Sequence, residues 1–108
     1  MIMIIIIIKD GRTLMSILVV GADYLGDIPS NLKKWGCRNL THLKGRKNIP
    51  GRNLQIPQGT DLILVMTDYV NHNIARTIRE KAKTQAVPVL FSKRSWSSLS
   101  QKLQAFKA

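Results

Sequence analysis

Three stretches of the chain are apolar at every position, and each ends in a polar tip. Ile17-Leu18-Val19-Val20 runs into Gly21-Ala22-Asp23, Leu62-Ile63-Leu64-Val65-Met66 into Thr67-Asp68, and Val87-Pro88-Val89-Leu90-Phe91 into Ser92-Lys93-Arg94. A run without polar alternation reads as a strand buried on both faces, and such strands belong to parallel sheets. Between the runs the period lengthens to that of helices. Asp27-Ile28-Pro29 predicts a helix start, with Asp27 as cap and Pro29 in the first turn, where its missing N–H costs nothing. That helix carries Leu32 and Trp35 and stops at Gly36. Asn39–Leu43 is a shorter, less apolar strand and is expected at the sheet edge. Asp61–Met66 is the strongest strand, and Asp68 is expected to cap a helix reaching Gln85. Val70, Ile74, Ala75, Ile78 and Ala82 line one face of that helix; Arg76, Arg79, Glu80, Lys81 and Lys83 line the other. Val87–Phe91 is the last strand, and Ser95 caps a final helix bearing Leu99, Leu103 and Phe106.

This order predicts an α/β fold: a three-layer sandwich with a parallel sheet of about four strands and helices on both faces, Rossmann-like or flavodoxin-like. Right-handed crossovers give strand order 2-1-3-4. The order then reverses between the first and third strands. In open parallel sheets ligands bind at that reversal, outside the carboxyl ends of the strands. The expected crevice lies between Gly21–Asp23 and Thr67–Asp68. Lys44 to Gly59 is one long loop, within which Leu54-Gln55-Ile56 is expected to pack locally.

The first 14 residues stand outside this alternation. Met1 to Ile8 is almost pure isoleucine, followed by Lys9-Asp10-Gly11-Arg12. The run is too short to cross a bilayer, and no charged leader or small-residue cleavage site marks a signal peptide. It reads either as an extra strand, with Asp10-Gly11 turning Ile4–Ile8 back against Thr13–Val20, or as translation from upstream of the native start. The second reading is favoured, because Gly11-Arg12 before Met15 can be encoded by GGGAGG, a ribosome-binding sequence read in frame. Residues 15–108 are then expected to form a single domain.

Seventeen Lys and Arg face six Asp and Glu, for a net charge of +11. So strong a field on so small a body favours anionic partners: a phosphorylated small molecule or a nucleic acid. The lone Cys37 excludes an internal disulfide and fits a reducing cytoplasm. A two-fold homodimer is compatible with so short a chain; a membrane partner is not expected.

Chemistry concentrates at the strand tips. Gly21 and Gly26 bracket the first loop and permit close backbone approach to a ligand, but they spell neither the dinucleotide fingerprint nor a P-loop. Asp23 and Asp68 are expected to face one another across the reversal. Thr67-Asp68-Tyr69-Val70-Asn71-His72-Asn73 is the most distinctive stretch, because Asn71, His72 and Asn73 crowd polar groups into a first helical turn. Arg46 and Lys47 leave the second strand; Ser92, Lys93, Arg94, Ser95 and Trp96 leave the fourth. The arginines suit phosphate, and Trp96 can stack on a ring or anchor the last helix in the core. With only His42, His72 and Cys37 available, a tetrahedral zinc site is not expected. No Ser-His-Asp arrangement is visible, and the serines read as caps.

Four segments together resemble a bacterial family called domain of unknown function 2325. They are Ile17-Leu18-Val19-Val20-Gly21-Ala22-Asp23-Tyr24-Leu25-Gly26, Gly45-Arg46-Lys47, Thr67 to Asn73, and Val89-Leu90-Phe91-Ser92-Lys93-Arg94-Ser95-Trp96. The resemblance covers about Ser16 to Leu103 and has no counterpart for residues 1–14. It implies a small α/β domain of the bacterial cytoplasm and transfers no reaction or residue role.

The expected function is binding of a nucleotide or phosphorylated metabolite at the strand ends, in a regulatory rather than catalytic role. The expected ligand-binding residues are Gly21, Asp23, Gly26, Arg46, Lys47, Thr67, Asp68, Asn71, His72, Asn73, Ser92, Arg94, Ser95 and Trp96. No particular cofactor is implied. The alternatives are nucleic-acid binding through the basic surface, phosphoryl transfer at Asp68 as in receiver domains, and haem or redox ligand binding. The receiver pattern is incomplete, with one acid after the first strand and no fifth strand.

Overall fold

In the computed structural model, residues 8–9, 12–13, 15–44, 54–68 and 70–107 are described. The parallel sheet comprises β3 (Met15–Val20), β4 (Cys37–Leu43), β5 (Leu62–Met66) and β6 (Val89–Ser92), and its spatial order is β4-β3-β5-β6. All three strand pairs are parallel, with Leu18 beside Thr41 and Ile63, and Leu64 beside Leu90. This is the expected 2-1-3-4 order. Among the described residues three helices alternate with the strands: α1 (Ile28–Trp35), α2 (His72–Gln85) and α3 (Trp96–Lys107). Preceding them, β1 (Ile8–Lys9) pairs antiparallel with β2 (Arg12–Thr13) in a separate two-stranded sheet, Ile8 opposite Thr13. The hairpin register expected about Asp10-Gly11 is thus present, but its second strand ends at Thr13, and Met15–Val20 joins the parallel sheet instead. The isoleucines before Ile8 lie outside the described residues.

The apolar runs explain the layers. Side chains alternate across a strand, so a run apolar at every position must bury both faces. From β3 and β5, Ile17, Val19, Leu62, Leu64 and Met66 meet Ile28 and Leu32 of α1 and Leu99 and Leu103 of α3. The intervening Leu18, Val20, Ile63 and Val65 meet Ile74, Ile78 and Ala82 of α2. Each large side chain so buried contributes about 1.5–3 kcal/mol. Leu54 and Ile56 are buried in that second cluster. They seal the α2 side of the sheet rather than packing only within their loop, and Lys81 Nζ on α2 donates to the Leu54 carbonyl.

The helix ends follow local chemistry with two departures. Gly36 closes α1 at φ 134°, its N–H donating to the Leu32 carbonyl. Ser95 caps α3, its hydroxyl accepting from the Ser98 N–H. Asp27 sits at the start of α1, but its side chain makes no capping bond; Ser30 Oγ donates to the Asp27 carbonyl instead. Asp68 does not cap α2. The chain turns through Thr67 and Asp68, and Asn71 caps the helix by accepting from the Asn73 and Ile74 N–H groups. Asn at that position satisfies two of the donors a helix start leaves open. Among the described residues no helix is long and apolar enough to cross a membrane.

Candidate functional site

Because the four strands run in one direction, their carboxyl ends share one rim. Gly21, Lys44, Thr67 and Lys93 follow β3, β4, β5 and β6 there. The rim is closed by backbone bonds between neighbouring strand ends: Gly21 N–H to the Leu43 carbonyl at 2.8 Å, and Thr67 N–H to the Ser92 carbonyl at 2.8 Å. His42 adds a side-chain tie, its Nε2–H donating to the Gly21 carbonyl at 2.8 Å. His42 therefore holds the first loop rather than pointing at an outside partner.

The loop after β3 is unusual in its backbone. Gly21, Ala22 and Gly26 all have positive φ, at 103°, 63° and 58°. Ala22 is the informative one, because an L side chain in that region is strained and persists only where its surroundings enforce it. Its methyl is buried, 1% exposed. The loop thus lifts Asp23 and Tyr24 onto the rim, and Tyr24 stands 82% exposed.

Arg94 joins the rim's loops. Its backbone N–H donates to Asp68 Oδ1 at 3.1 Å, and its guanidinium donates through Nη1 to the Tyr24 carbonyl at 3.2 Å. One residue after β6 therefore touches the loops after β5 and β3, on both sides of the reversal in strand order. Ala22, Asp23, Tyr24 and Arg94 line an open depression of about 190 Å³. That is below the ~300–1,000 Å³ of a pocket that engulfs a drug-sized ligand. The depression has room for one charged group or one ring.

The other expected residues fare differently. Asp68, 26 positions from Arg94 in the chain, meets it as described. Thr67, Ser92, Asn71 and Ser95 are engaged within the protein: Thr67 Oγ1 donates to the Ser92 carbonyl, Ser92 Oγ to the Lys93 carbonyl, and Asn71 and Ser95 cap helices. Trp96 is half-buried against the α1–α3 cluster at the start of its helix. His72 is exposed but lines a different depression, with Ala75, Arg76, Arg79 and Phe91. Asn73 is exposed beside it on the first turn of α2, and Gly26 is exposed with open space where a Cβ would sit. Arg46 and Lys47 lie outside the described residues, as does Tyr69.

The sequence reading missed Tyr24, the most exposed large apolar side chain among the described residues. The available signal was an aromatic between two loop glycines at the reversal point. It also read Asp61 as a strand residue. Asp61 is instead a clamp at the opposite, amino end of the sheet, where its carboxylate accepts from the Ser16 N–H at 2.8 Å and its own N–H donates to the Ser16 carbonyl at 2.8 Å.

Among the described residues every buried side-chain polar atom has a partner and no cluster of three metal-ligating side chains occurs. Cys37 lies at the amino end of β4, away from the rim. Burial pushes its thiol up from 9.0, against a smaller opposing effect of a backbone hydrogen bond from Ile17, which makes it a poor nucleophile.

A family model described as "Uncharacterized protein conserved in bacteria (DUF2325)" matches residues 16–106, and the chain belongs to that family. No curated protein and no solved structure matches the chain.

Proposed function

We propose that this member of the family binds a phosphorylated small molecule, such as a nucleotide, at the carboxyl rim of its sheet, in a regulatory rather than catalytic role. The observation that carries the reading is Arg94, which bonds to the loops on both sides of the strand-order reversal and lines a depression with Asp23 and the exposed Tyr24. A guanidinium at that place is suited to an anionic oxygen, and a neighbouring phenol ring to a base or sugar face. Binding there would act on three loops at once, which is how a small ligand can change what a small domain presents to a partner. Asp68 is engaged with the Arg94 backbone, the rim hydroxyls of Thr67 and Ser92 donate to carbonyls, and the thiol is remote. Those engagements favour recognition over group transfer.

Calorimetric titration of the full chain with a panel of nucleotides and sugar phosphates tests the proposal. Saturable binding by at least one compound is expected, weakened about 10-fold or more in Arg94→Gln, as loss of a hydrogen bond to a charged group requires. No binding by any phosphate compound at millimolar concentration removes the reading. Covalent labelling by acetyl phosphate that disappears in Asp68→Asn would replace it with phosphoryl transfer. An absorption band on haem titration that Arg94→Gln leaves unchanged would replace it with haem binding.

A further inference from the structure

Two large apolar side chains are exposed among the described residues, Tyr24 on the rim and Phe91 at 38% exposure on β6. Phe91 lies beside Val65 in register, and Val65 faces α2. Phe91 is therefore on the α2 side of the sheet, at its open edge. There it lines a depression of about 190 Å³ together with His72, Ala75, Arg76 and Arg79. Those four helix positions are spaced i, i+3, i+4, i+7 and form one stripe. Beside it runs the stripe of Ile74, Ile78 and Ala82 that enters the core.

The composition of this depression is specific. It holds an aromatic ring, two guanidinium groups, an imidazole and no carboxylate. Phe91 is mostly covered but leaves 38% of its surface exposed, and that exposed ring lies beside two arginines rather than beside further apolar surface. Ring and arginines together match a chain of alternating aromatic bases and phosphates.

We infer that this flank of α2 and β6 binds single-stranded nucleic acid, with a base stacked on Phe91 and backbone phosphates on Arg76 and Arg79. The site is distinct from the rim depression and does not rest on the small-ligand reading. A duplex fits less well, because its bases are already stacked and a one-ring depression cannot reach them. A second copy of the chain fits less well, because it would bring arginines toward arginines on bodies carrying +11 each.

The test is fluorescence anisotropy of a labelled oligothymidylate with the full chain over a range of salt. The logarithm of affinity is expected to fall linearly with the logarithm of salt concentration. Arg76→Gln with Arg79→Gln is expected to lower that slope by about 1.4, two phosphates at about 0.7 each. Phe91→Leu should weaken binding about 5- to 150-fold with the slope unchanged, the range for loss of one stacked base. Phe91→Trp should restore it, and unchanged melting curves would show all variants folded. Arg94→Gln should leave the Phe91 dependence intact. Absence of binding at low salt overturns the inference, as does binding indifferent to Phe91→Leu, which is mere adhesion to a basic body. Equal affinity for the matching duplex overturns it too. An acidic peptide bound with the same Phe91 dependence reassigns the flank to a protein partner and overturns it as well.

Discussion

The two ends of the sheet use the same bond to different effect. At the amino end the Asp61 carboxylate accepts the Ser16 N–H; at the carboxyl end the Asp68 carboxylate accepts the Arg94 N–H. Around Asp61 the neighbouring polar groups turn on one another. Asp61 N–H returns to Ser16, Arg38 and Asn39 side chains reach the Ser16 hydroxyl, and Met15 N–H closes on Gly36. Around Asp68 the rim hydroxyls are likewise engaged, but the neighbouring first loop has left-handed backbone, an exposed tyrosine and a depression. A polar cluster alone therefore does not mark a site. Strained backbone and exposed aromatic surface distinguish the end proposed to bind a ligand from the end that closes.

The most severe way to break the comparison is to remove what both ends share. Leu64 lies mid-strand in β5, fully buried in the α1–α3 cluster. Leu64→Ala should cost about 2–5 kcal/mol, read as a lowered urea midpoint. Both ends should melt in one transition, because the strand they hang from is common. Two separate transitions would show that the ends are independent units.

The second test separates the two carboxylates. Asp61→Ala leaves a part-buried N–H without its acceptor and should cost about 1–3 kcal/mol in urea unfolding. Asp68→Ala affects an exposed bond and should cost about 0.5–1 kcal/mol. Ligand affinity of the folded protein should respond the other way, unchanged in the first variant and altered in the second. Equal stability losses would mean that the carboxyl rim is built for closure too.

How much of this was legible in the sequence follows the same division. The central strands were readable because burial on both faces leaves a run with no polar position, as in Leu62–Met66. Gly36 and Ser95 were readable because cap chemistry is local. Asp61 was not, since its partner is 45 residues away and no periodicity reports it. Nor was the edge strand's start. It begins at Cys37 rather than Asn39, because pairing with Met15 starts as soon as Gly36 reverses the chain. At the candidate site, the sequence located the rim and Arg94 from strand direction. It did not reveal that His72 faces another depression, because which flank of α2 opens at the sheet edge depends on where β6 ends.

A smaller effect sharpens the contrast in backbone strain. A Cβ on Gly26 would meet nothing within 4 Å, so Gly26→Ala carries only the cost of φ 58°. That cost is about 1–2 kcal/mol, partly offset by the stiffer unfolded chain, leaving roughly 1 kcal/mol. Ala22→Gly relieves similar strain but loses a buried methyl and gains unfolded-state freedom, so its stability should stay near wild type. A large loss in Ala22→Gly would show that the first loop is held by packing rather than by its neighbours' hydrogen bonds.

The smallest expected effect belongs to the closed end and is read through pH. Cys37 Sγ donates to the Asn39 carbonyl at 3.2 Å, and burial raises its thiol above the ordinary value of 9.0. The folded protein therefore holds the thiol proton over a window where the unfolded chain has released it. Stability contributed by that proton is whole below the unfolded value and declines as pH rises from there toward the folded one. Urea midpoints measured upward from neutral pH should fall slightly faster in wild type than in Cys37→Ala. Alkylation of Cys37 by iodoacetamide at mildly alkaline pH should be slow in the native protein and fast in urea. Fast native alkylation would mean that the amino end opens as readily as the rim, and the two ends would then no longer differ in kind.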